Sequence, residues 1–159
     1  MGSSRRWAIF MIASALFAFS QFYRASIAVI SPQLMADVGL DPRGLSLMSA
    51  AFFYAFALTQ IPIGIFLDRI GPRRTMTALS GVAVAGAVVF AWGNSLQTLA
   101  VGRMLLGIGM ACNLMGAFKL LTLWFSPLQF ATLSALVVSI GTTGNLTAAT
   151  PLALLVGWI

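Results

Sequence analysis

Long apolar stretches separated by short polar connections dominate this chain. Five of them reach the roughly 20 mainly apolar residues that a helix needs to cross a bilayer. The pattern predicts membrane helices at residues 9–34, 45–67, 75–92, 96–118 and 128–156. Backbone polar groups cannot stay unpaired in lipid, and these stretches are too long for barrel strands. The sequence therefore predicts an all-α polytopic membrane protein.

The composition supports this interpretation and narrows the chemistry. Of the 159 residues, 60% are hydrophobic and 8% are charged, whereas soluble domains carry about 25% charged residues. Cys112 is the single cysteine, and the chain has neither histidine nor glutamate. No intrachain disulfide or Cys/His metal site can form, and the three carboxylates (Asp37, Asp41 and Asp68) all fall in predicted loops. We therefore expect no enzymatic activity, no metal site and no cofactor.

The cations are distributed unevenly between the two ends of the predicted helices. A net charge of +6 would also suit a nucleic-acid-binding protein, but the distribution favours a role in membrane orientation. If the helices alternate in direction, only Arg43 falls on one side. The other side carries Arg5, Arg6, Arg69, Arg73, Arg74 and Lys119. The positive-inside rule then predicts a multi-pass protein of the inner membrane, with its N-terminus in the cytoplasm.

The connection after the second predicted helix combines one carboxylate, turn residues and several arginines. A positive-inside anchor would explain the arginines, but it gives little role to an acidic residue. The spacing of the carboxylate between two glycines favours a conformational latch instead. The predicted latch residues are Gly64, Asp68, Arg69, Gly71, Arg73 and Arg74. At the far end of the second helix, Asp41 precedes Pro42 and is predicted to cap the first turn.

Two arginines, Arg24 and Arg103, are the only charges inside predicted membrane helices. A charge at the centre of a membrane helix costs about 2.5–3.5 kcal/mol on insertion scales. At 1.5 Å per residue, Arg24 lies about 22 Å above the inner boundary and Arg103 about 10 Å below the outer one. In a core about 30 Å thick these heights are similar, so two guanidiniums could clamp an anion. Contacts with free backbone carbonyls, or extension towards the surface, remain the alternatives.

Further polar side chains lie within the predicted helices. Gln21 shares a helix face with Arg24, three residues later, and Gln60 and Asn145 lie in the second and fifth predicted helices. Each equally fits a role in joining helices by hydrogen bonds, which contribute about 0.6 kcal/mol on average. The predicted substrate-binding residues are Arg24, Arg103, Gln21, Gln60 and Asn145.

Three segments resemble the major facilitator superfamily of transporters. The Gly64–Arg74 loop resembles the family pattern G-x-x-x-D-[RK]-x-G followed by two basic residues, with Pro72 inserted before the pair. The run from Arg103 to Gly109 resembles the fourth-helix pattern R-x-x-x-G-x-G. Arg24 resembles the first-helix arginine of the organic-anion and anion–cation symporter branches. The resemblance implies the first five helices of a six-helix N-terminal half bundle, in which both arginines serve the substrate and Asp68 latches the outward-facing state.

The chain also departs from these relatives. Anion–cation symporters often carry an acidic residue where this chain has Tyr23, and a glutamate near the position of Met110 and Ala111. No titratable Asp, Glu or His lies within the five predicted helices. We therefore expect either a proton-coupling site in the missing half of the transporter, or an exchanger or uniporter. The fifth helix lacks the Gly-Pro pair of drug-exporting relatives, which disfavours a drug exporter.

Together these observations predict a secondary active transporter that moves a small anionic solute by alternating access. The expected partners are that solute, the lipid bilayer and a missing C-terminal half of the transporter, and no nucleic acid. The odd number of helices predicts that the chain is a fragment of a longer reading frame. Two alternatives stay open: a truncated paralogue that acts as a non-transporting membrane scaffold or assembly partner and, less strongly, a drug exporter.

Overall fold

A computed structural model describes residues 3–150, which form helices and short connections without any strand. The helices are α1 (Ser3–Val38), α2 (Pro42–Arg69), α3 (Pro72–Ala91), α4 (Leu96–Met110), α5 (Asn113–Trp124) and α6 (Pro127–Ala149). Helices α4 and α5 follow one another across a two-residue turn and form one membrane-length segment. Five segments are thus long and apolar enough to cross a membrane. The predicted all-helical membrane fold is confirmed.

Helix α1 extends beyond its predicted bounds at both ends. It continues through Pro32, although proline has no N–H to donate to the carbonyl four residues earlier. The Ser31 hydroxyl donates instead to that carbonyl, on Ala28, at 3.0 Å. At the other end of the described chain, α6 ends at Ala149, so the last predicted turns and Pro151 lie outside the described residues.

The connections around α2 have defined caps. The Asp41 carboxylate accepts a hydrogen bond from the Gly44 N–H at 2.7 Å, which confirms the predicted N-cap. Between α2 and α3, Gly71 adopts a φ of 94°, a backbone conformation that side-chain-bearing residues rarely take. The next residue, Pro72, begins α3. The chain therefore reverses direction within two residues and brings the ends of α2 and α3 side by side.

Small residues let the helices pack closely, as is common where lipid supplies no hydrophobic drive for association. Helix α1 packs along α6, and α4 packs against both α2 and α3. A side chain at Gly107 would collide with the Phe52 carbonyl of α2, and one at Gly144 would collide with the Ala18 carbonyl of α1. Both positions therefore require the absence of a side chain for their helices to meet.

An open groove separates α1 from α3, which make almost no contact. Its walls follow the three- and four-residue spacing of a helix-packing seam. They are formed by Ile9, Ile12, Leu16, Phe19 and Tyr23 on α1 and by Ser80, Val84, Ala87 and Ala91 on α3. Arg5, Arg73 and Trp124 line one end of the groove. The small side chains of α3 leave room for a close neighbour.

The charged residues collect at the two ends of the helix bundle. Arg5 lies 5.7 Å from the centre of the Trp124 ring and lines the same groove end as Arg73. Asp68 and Lys119 form an ion pair between α2 and α5. Asp37 lies exposed near the C-terminus of α1, and Asp41 lies exposed just before the N-terminus of α2, both at the end of the bundle away from these cations. The interior of the described bundle thus retains only Arg24 and Arg103 as charged side chains.

Candidate functional site

A cavity of about 350 Å³ lies among α1, α2 and the junction of α4 with α5. Arg24 is the only charged side chain in its lining, which also includes Phe17, Ser20, Gln21, Phe56, Gln60, Met110, Ala111, Leu114 and Met115. The positions 17, 20, 21 and 24 share one face of α1 because they are three or four residues apart. The cavity therefore has an apolar wall with a few polar groups, a composition typical of small-molecule sites.

Arg24 is half-buried, and its guanidinium carbon lies 4.6 Å from the centre of the Phe56 ring. This stacking is a cation–π contact, which holds the guanidinium without neutralising its charge. Among the described residues, Arg24 has no carboxylate partner, and its Nε is buried without a hydrogen bond. The cavity thus holds an uncompensated positive charge with hydrogen-bonding capacity to spare.

The two glutamines in the cavity have different surroundings. Gln60 donates a hydrogen bond from Nε2 to the Ala111 carbonyl at 3.1 Å, so its amide joins α2 to the α4–α5 junction. Gln21 has its side-chain carbonyl oxygen buried without a partner among the described residues. Both predicted residues therefore line the same cavity as Arg24.

The segment Leu96–Trp124 is interrupted in the middle of the predicted membrane span, at Ala111 and Cys112. The freed backbone groups are met by side chains: the Ser20 hydroxyl donates to the Met110 carbonyl at 3.5 Å, and Gln60 donates to that of Ala111. Asn113 donates from Nδ2 to the Leu16 carbonyl of α1 at 3.0 Å. Irregular backbone at membrane depth is tolerated where it is buried in protein or lines a cavity, and both conditions hold here.

Arg103 does not line the Arg24 cavity. It is 1% exposed, and its guanidinium carbon lies 4.9 Å from the Phe52 ring centre and 5.8 Å from that of Phe90. Its Nη1 donates to the Tyr23 carbonyl of α1 at 3.0 Å. The other two guanidinium nitrogens are buried without partners within the described chain. Of the three roles weighed for the two arginines, the described surroundings of Arg103 contain one, the contact with a backbone carbonyl.

Asn145, the remaining predicted binding residue, is half-buried on α6 and is not part of the Arg24 cavity lining. Ser20 and Phe56 were not predicted as site residues, yet both line the cavity beside Arg24. A sequence signal did exist for Ser20, because it lies four residues before Arg24 on one helix face. Phe56 had no comparable signal, since aromatic residues are common throughout the apolar stretches.

The predicted latch loop lies at the end of the bundle where the cations collect. The Asp68 carboxylate accepts a hydrogen bond from the Lys119 ammonium of α5 at 2.7 Å. Gly64, Asp68 and Lys119 line a shared cavity of about 330 Å³ between α2 and α5. Arg69, Arg73 and Arg74 are exposed, and within the described residues none of them forms an ion pair. Asp68 is therefore paired across helices and not within its own loop.

Comparison with known proteins agrees with this architecture. Residues 5–159 match the sequence profile of the Major Facilitator Superfamily. The chain is 26% identical to the probable galactarate/D-glucarate transporter of Escherichia coli over 99% of its length, and 32% identical to the probable sulfoacetate transporter of Cupriavidus necator over 64%. It is 30% identical to a nitrate/nitrite transporter of Picosynechococcus over 69%.

The match covers only part of these relatives. The chain spans 35% of the length of the Escherichia coli protein, 24% of that from Cupriavidus and 20% of that from Picosynechococcus. On the side of this chain, the family profile covers residues 5–159, which is nearly its whole length. The chain therefore belongs to the Major Facilitator Superfamily.

Proposed function

We propose that the protein containing this chain is a secondary active transporter that moves a small organic or inorganic anion across the membrane. The observation that carries this proposal is the Arg24 guanidinium, which has no ion-pair partner in the described part of the chain and lies in a cavity with no carboxylate among its lining residues. A buried charge without a partner is costly at membrane depth, and an anionic solute would offset that cost while bound. Relatives named for glucarate, sulfoacetate and nitrate add support from sequence similarity.

In this proposal the solute meets Arg24 near the middle of the membrane and is released by alternating access. Transporters with internal repeats commonly rock two halves about a site near the midplane. The chain spans about a third of the first relative's length, so the remaining part would close the Arg24 cavity and cover the groove between α1 and α3. The arginine-rich end would face the cytoplasm of the cell's inner membrane.

Asp68 and Lys119 would act as part of a latch at the cytoplasmic end. Their side chains are 68% and 38% exposed, respectively, and exposed ion pairs contribute about 0–1 kcal/mol. A contact of this strength can break in every transport cycle. The three arginines of the loop would then be available to groups on the other half of the transporter. Arg103 would assist indirectly, by holding the backbone beside Arg24 through the Tyr23 carbonyl.

The proposal is tested by uptake into proteoliposomes that contain the product of the whole reading frame. The probes are radiolabelled glucarate, sulfoacetate and nitrate, each supplied separately. Arg24→Gln should lower uptake of the transported anion by roughly 10- to 100-fold, because it removes charge-assisted hydrogen bonds worth about 1.5–3 kcal/mol. The amount of folded protein, measured by size-exclusion chromatography, should not change.

Arg43→Gln is the matched control, since it removes the same charge from an exposed position at the end of α2. It should leave uptake unchanged. Full uptake by the Arg24→Gln protein would contradict the proposed role of this cation. Folded wild-type protein that takes up no anion would instead favour a scaffold, and transport by the 159-residue chain alone would refute the need for the remaining part.

A further inference from the structure

One end of the groove between α1 and α3 combines two cations with an aromatic ring and apolar walls. Arg5, near the start of α1, and Arg73, near the start of α3, both line this end together with Trp124. The side chains of both arginines are exposed, and the cavity beside them has a volume of about 540 Å³. Guanidiniums from two different helices therefore border one opening, which we call the arginine end of the groove.

The charge of the arginine end is not balanced by acidic groups of the described chain. Two of the three carboxylates lie at the opposite end of the bundle, and the third, Asp68, is paired with Lys119. Within the described residues neither Arg5 nor Arg73 forms an ion pair, and no acidic side chain lines the cavity. Arg5 stacks instead over the Trp124 ring, a contact that leaves its charge in place. The arginine end therefore attracts an anion.

The apolar walls decide which kind of anion fits. Ile9, Ile12 and Leu16 lead along α1 from the arginine end towards the middle of the bundle, and Met76 and Leu120 line the same cavity. A small free anion would leave these walls uncovered, whereas a hydrocarbon chain would cover them, which is favourable for apolar surface. A molecule with an anionic head and a hydrocarbon tail therefore matches both parts of the groove, and a bilayer consists of such molecules.

The arginine end also lies at the level where lipid headgroups are expected. Tryptophan is enriched at the membrane–water interface, and arginines near helix ends extend their charge to that interface. Basic pockets between membrane helices bind lipid head groups. A choline or ethanolamine head would bring a positive charge beside the two guanidiniums, which repel it, whereas a glycerol head would not. Covering of the groove by the remaining part, as proposed above, would enclose its length without moving the two arginines away from the headgroups.

We propose that the arginine end is a binding site for one anionic phospholipid, whose phosphate lies between Arg5 and Arg73 and whose acyl chain follows Ile9 and Ile12. A lipid bound there would join the start of α1 to the start of α3, two helices that make almost no contact with each other. The proposal is independent of the solute that the transporter carries. Each arginine near the membrane surface should raise the affinity for an anionic lipid by roughly fivefold, and the pair by roughly 25-fold.

The test measures lipid binding to the purified product of the whole reading frame in detergent, by native mass spectrometry. The probes are dioleoylphosphatidylglycerol, dioleoylphosphatidylcholine with the same chains, and glycerol 3-phosphate without chains. The wild-type protein should bind its first phosphatidylglycerol about tenfold or more tightly than phosphatidylcholine, and glycerol 3-phosphate should not displace it.

The variants locate the lipid on the protein. Arg5→Gln and Arg73→Gln should each weaken phosphatidylglycerol binding by roughly fivefold, and the double variant by roughly 25-fold. Arg74→Gln is the matched control, because Arg74 is an exposed neighbour that is not among the residues lining the cavity. It should retain the wild-type affinity for this lipid. Size-exclusion chromatography checks that each variant is folded.

Several results would overturn the proposal. Equal affinity of the wild-type protein for the two phospholipids would do so, and this comparison stands even if a variant does not fold. Unchanged phosphatidylglycerol binding by the folded double variant would place the lipid elsewhere. An equal loss in Arg74→Gln would mean that general surface charge attracts the lipid without a defined site. Displacement of the lipid by glycerol 3-phosphate would replace the phospholipid with a free phosphate compound as the occupant.

Discussion

Two arginines occupy the interior of this bundle, and their surroundings differ in almost every respect. Arg24 is half-buried, stacks on one aromatic ring and lines a cavity. Arg103 is 1% exposed, lies near two aromatic rings and donates to a backbone carbonyl. Their similar predicted depth therefore does not imply a similar role. What separates them is access to open space, which depends on neighbouring helices and not on position along the membrane normal.

The neighbouring carbonyl connects the two sites. Arg103 contacts Tyr23, the residue immediately before Arg24. The fully buried arginine thus supports the backbone from which the cavity arginine projects. In this arrangement, one guanidinium carries the charge that a solute would meet, while the other fixes the helix that presents it. The difference between solute contact and structural support can be measured, because the two roles predict opposite effects on affinity and stability.

The largest effect should come from shortening the fully buried arginine. Arg103→Ala removes a large packed side chain and should destabilise the protein by roughly 3–5 kcal/mol, the usual range for large-to-small changes in cores. Arg103→Met fills more of the space and removes two unpartnered buried nitrogens, so its cost should be smaller. Thermal unfolding of the full-length protein measures both changes. A roughly 100-fold loss of anion affinity in well-folded Arg103→Met would instead place Arg103 in contact with the solute.

An intermediate effect is expected at Gln60, which lines the Arg24 cavity from α2. Gln60→Met leaves the Ala111 carbonyl without its side-chain donor, and an unsatisfied buried acceptor costs about 1–3 kcal/mol. Stability should fall by that amount, while the affinity for the transported anion should stay the same. The same thermal measurement, paired with anion titration, separates the two quantities. Weaker anion binding without loss of stability would mean that Gln60 touches the solute directly.

The smallest effect on stability should come from the exposed ion pair of Asp68 and Lys119. Its contribution to stability can be compared with those of the buried arginines. Asp68→Asn and Lys119→Gln should each change the unfolding free energy by less than about 1 kcal/mol. If the pair acts as a latch, both variants and the double variant should alter transport rate to the same extent. Stopped-flow uptake at two salt concentrations measures this rate. Additive effects of the two single changes would show that the residues act independently.

The fold and part of the site followed from the sequence. Hydropathy was sufficient for the helical membrane fold, and the order of Asp41 and Pro42 was sufficient for the cap of α2. Spacing on one helix placed Gln21 beside Arg24, and both line one cavity. These features are local, since each depends on residues only a few positions apart.

Features that depend on distant residues could not be read in the same way. Asp68 pairs with Lys119, which lies 51 positions later in the chain. Lys119 is inside α5, whereas the fourth predicted helix was expected to end at residue 118. No proline near Ala111 and Cys112 indicates in the sequence that the helix is interrupted there. It is met by hydrogen bonds from α1 and α2, which no inspection of the fourth apolar stretch alone would reveal. Arg103 was likewise assigned by depth, whereas its contacts come from three other helices.

The interruption between α4 and α5 divides one long membrane-crossing segment into two shorter helices. Helix α4 carries Arg103, and helix α5 carries Lys119. Because regular backbone hydrogen bonding is interrupted between them, we expect that either helix can tilt slightly relative to the other. Met110 and Ala111 line the Arg24 cavity. The first consequence of such a tilt would therefore be a change in the shape of that cavity.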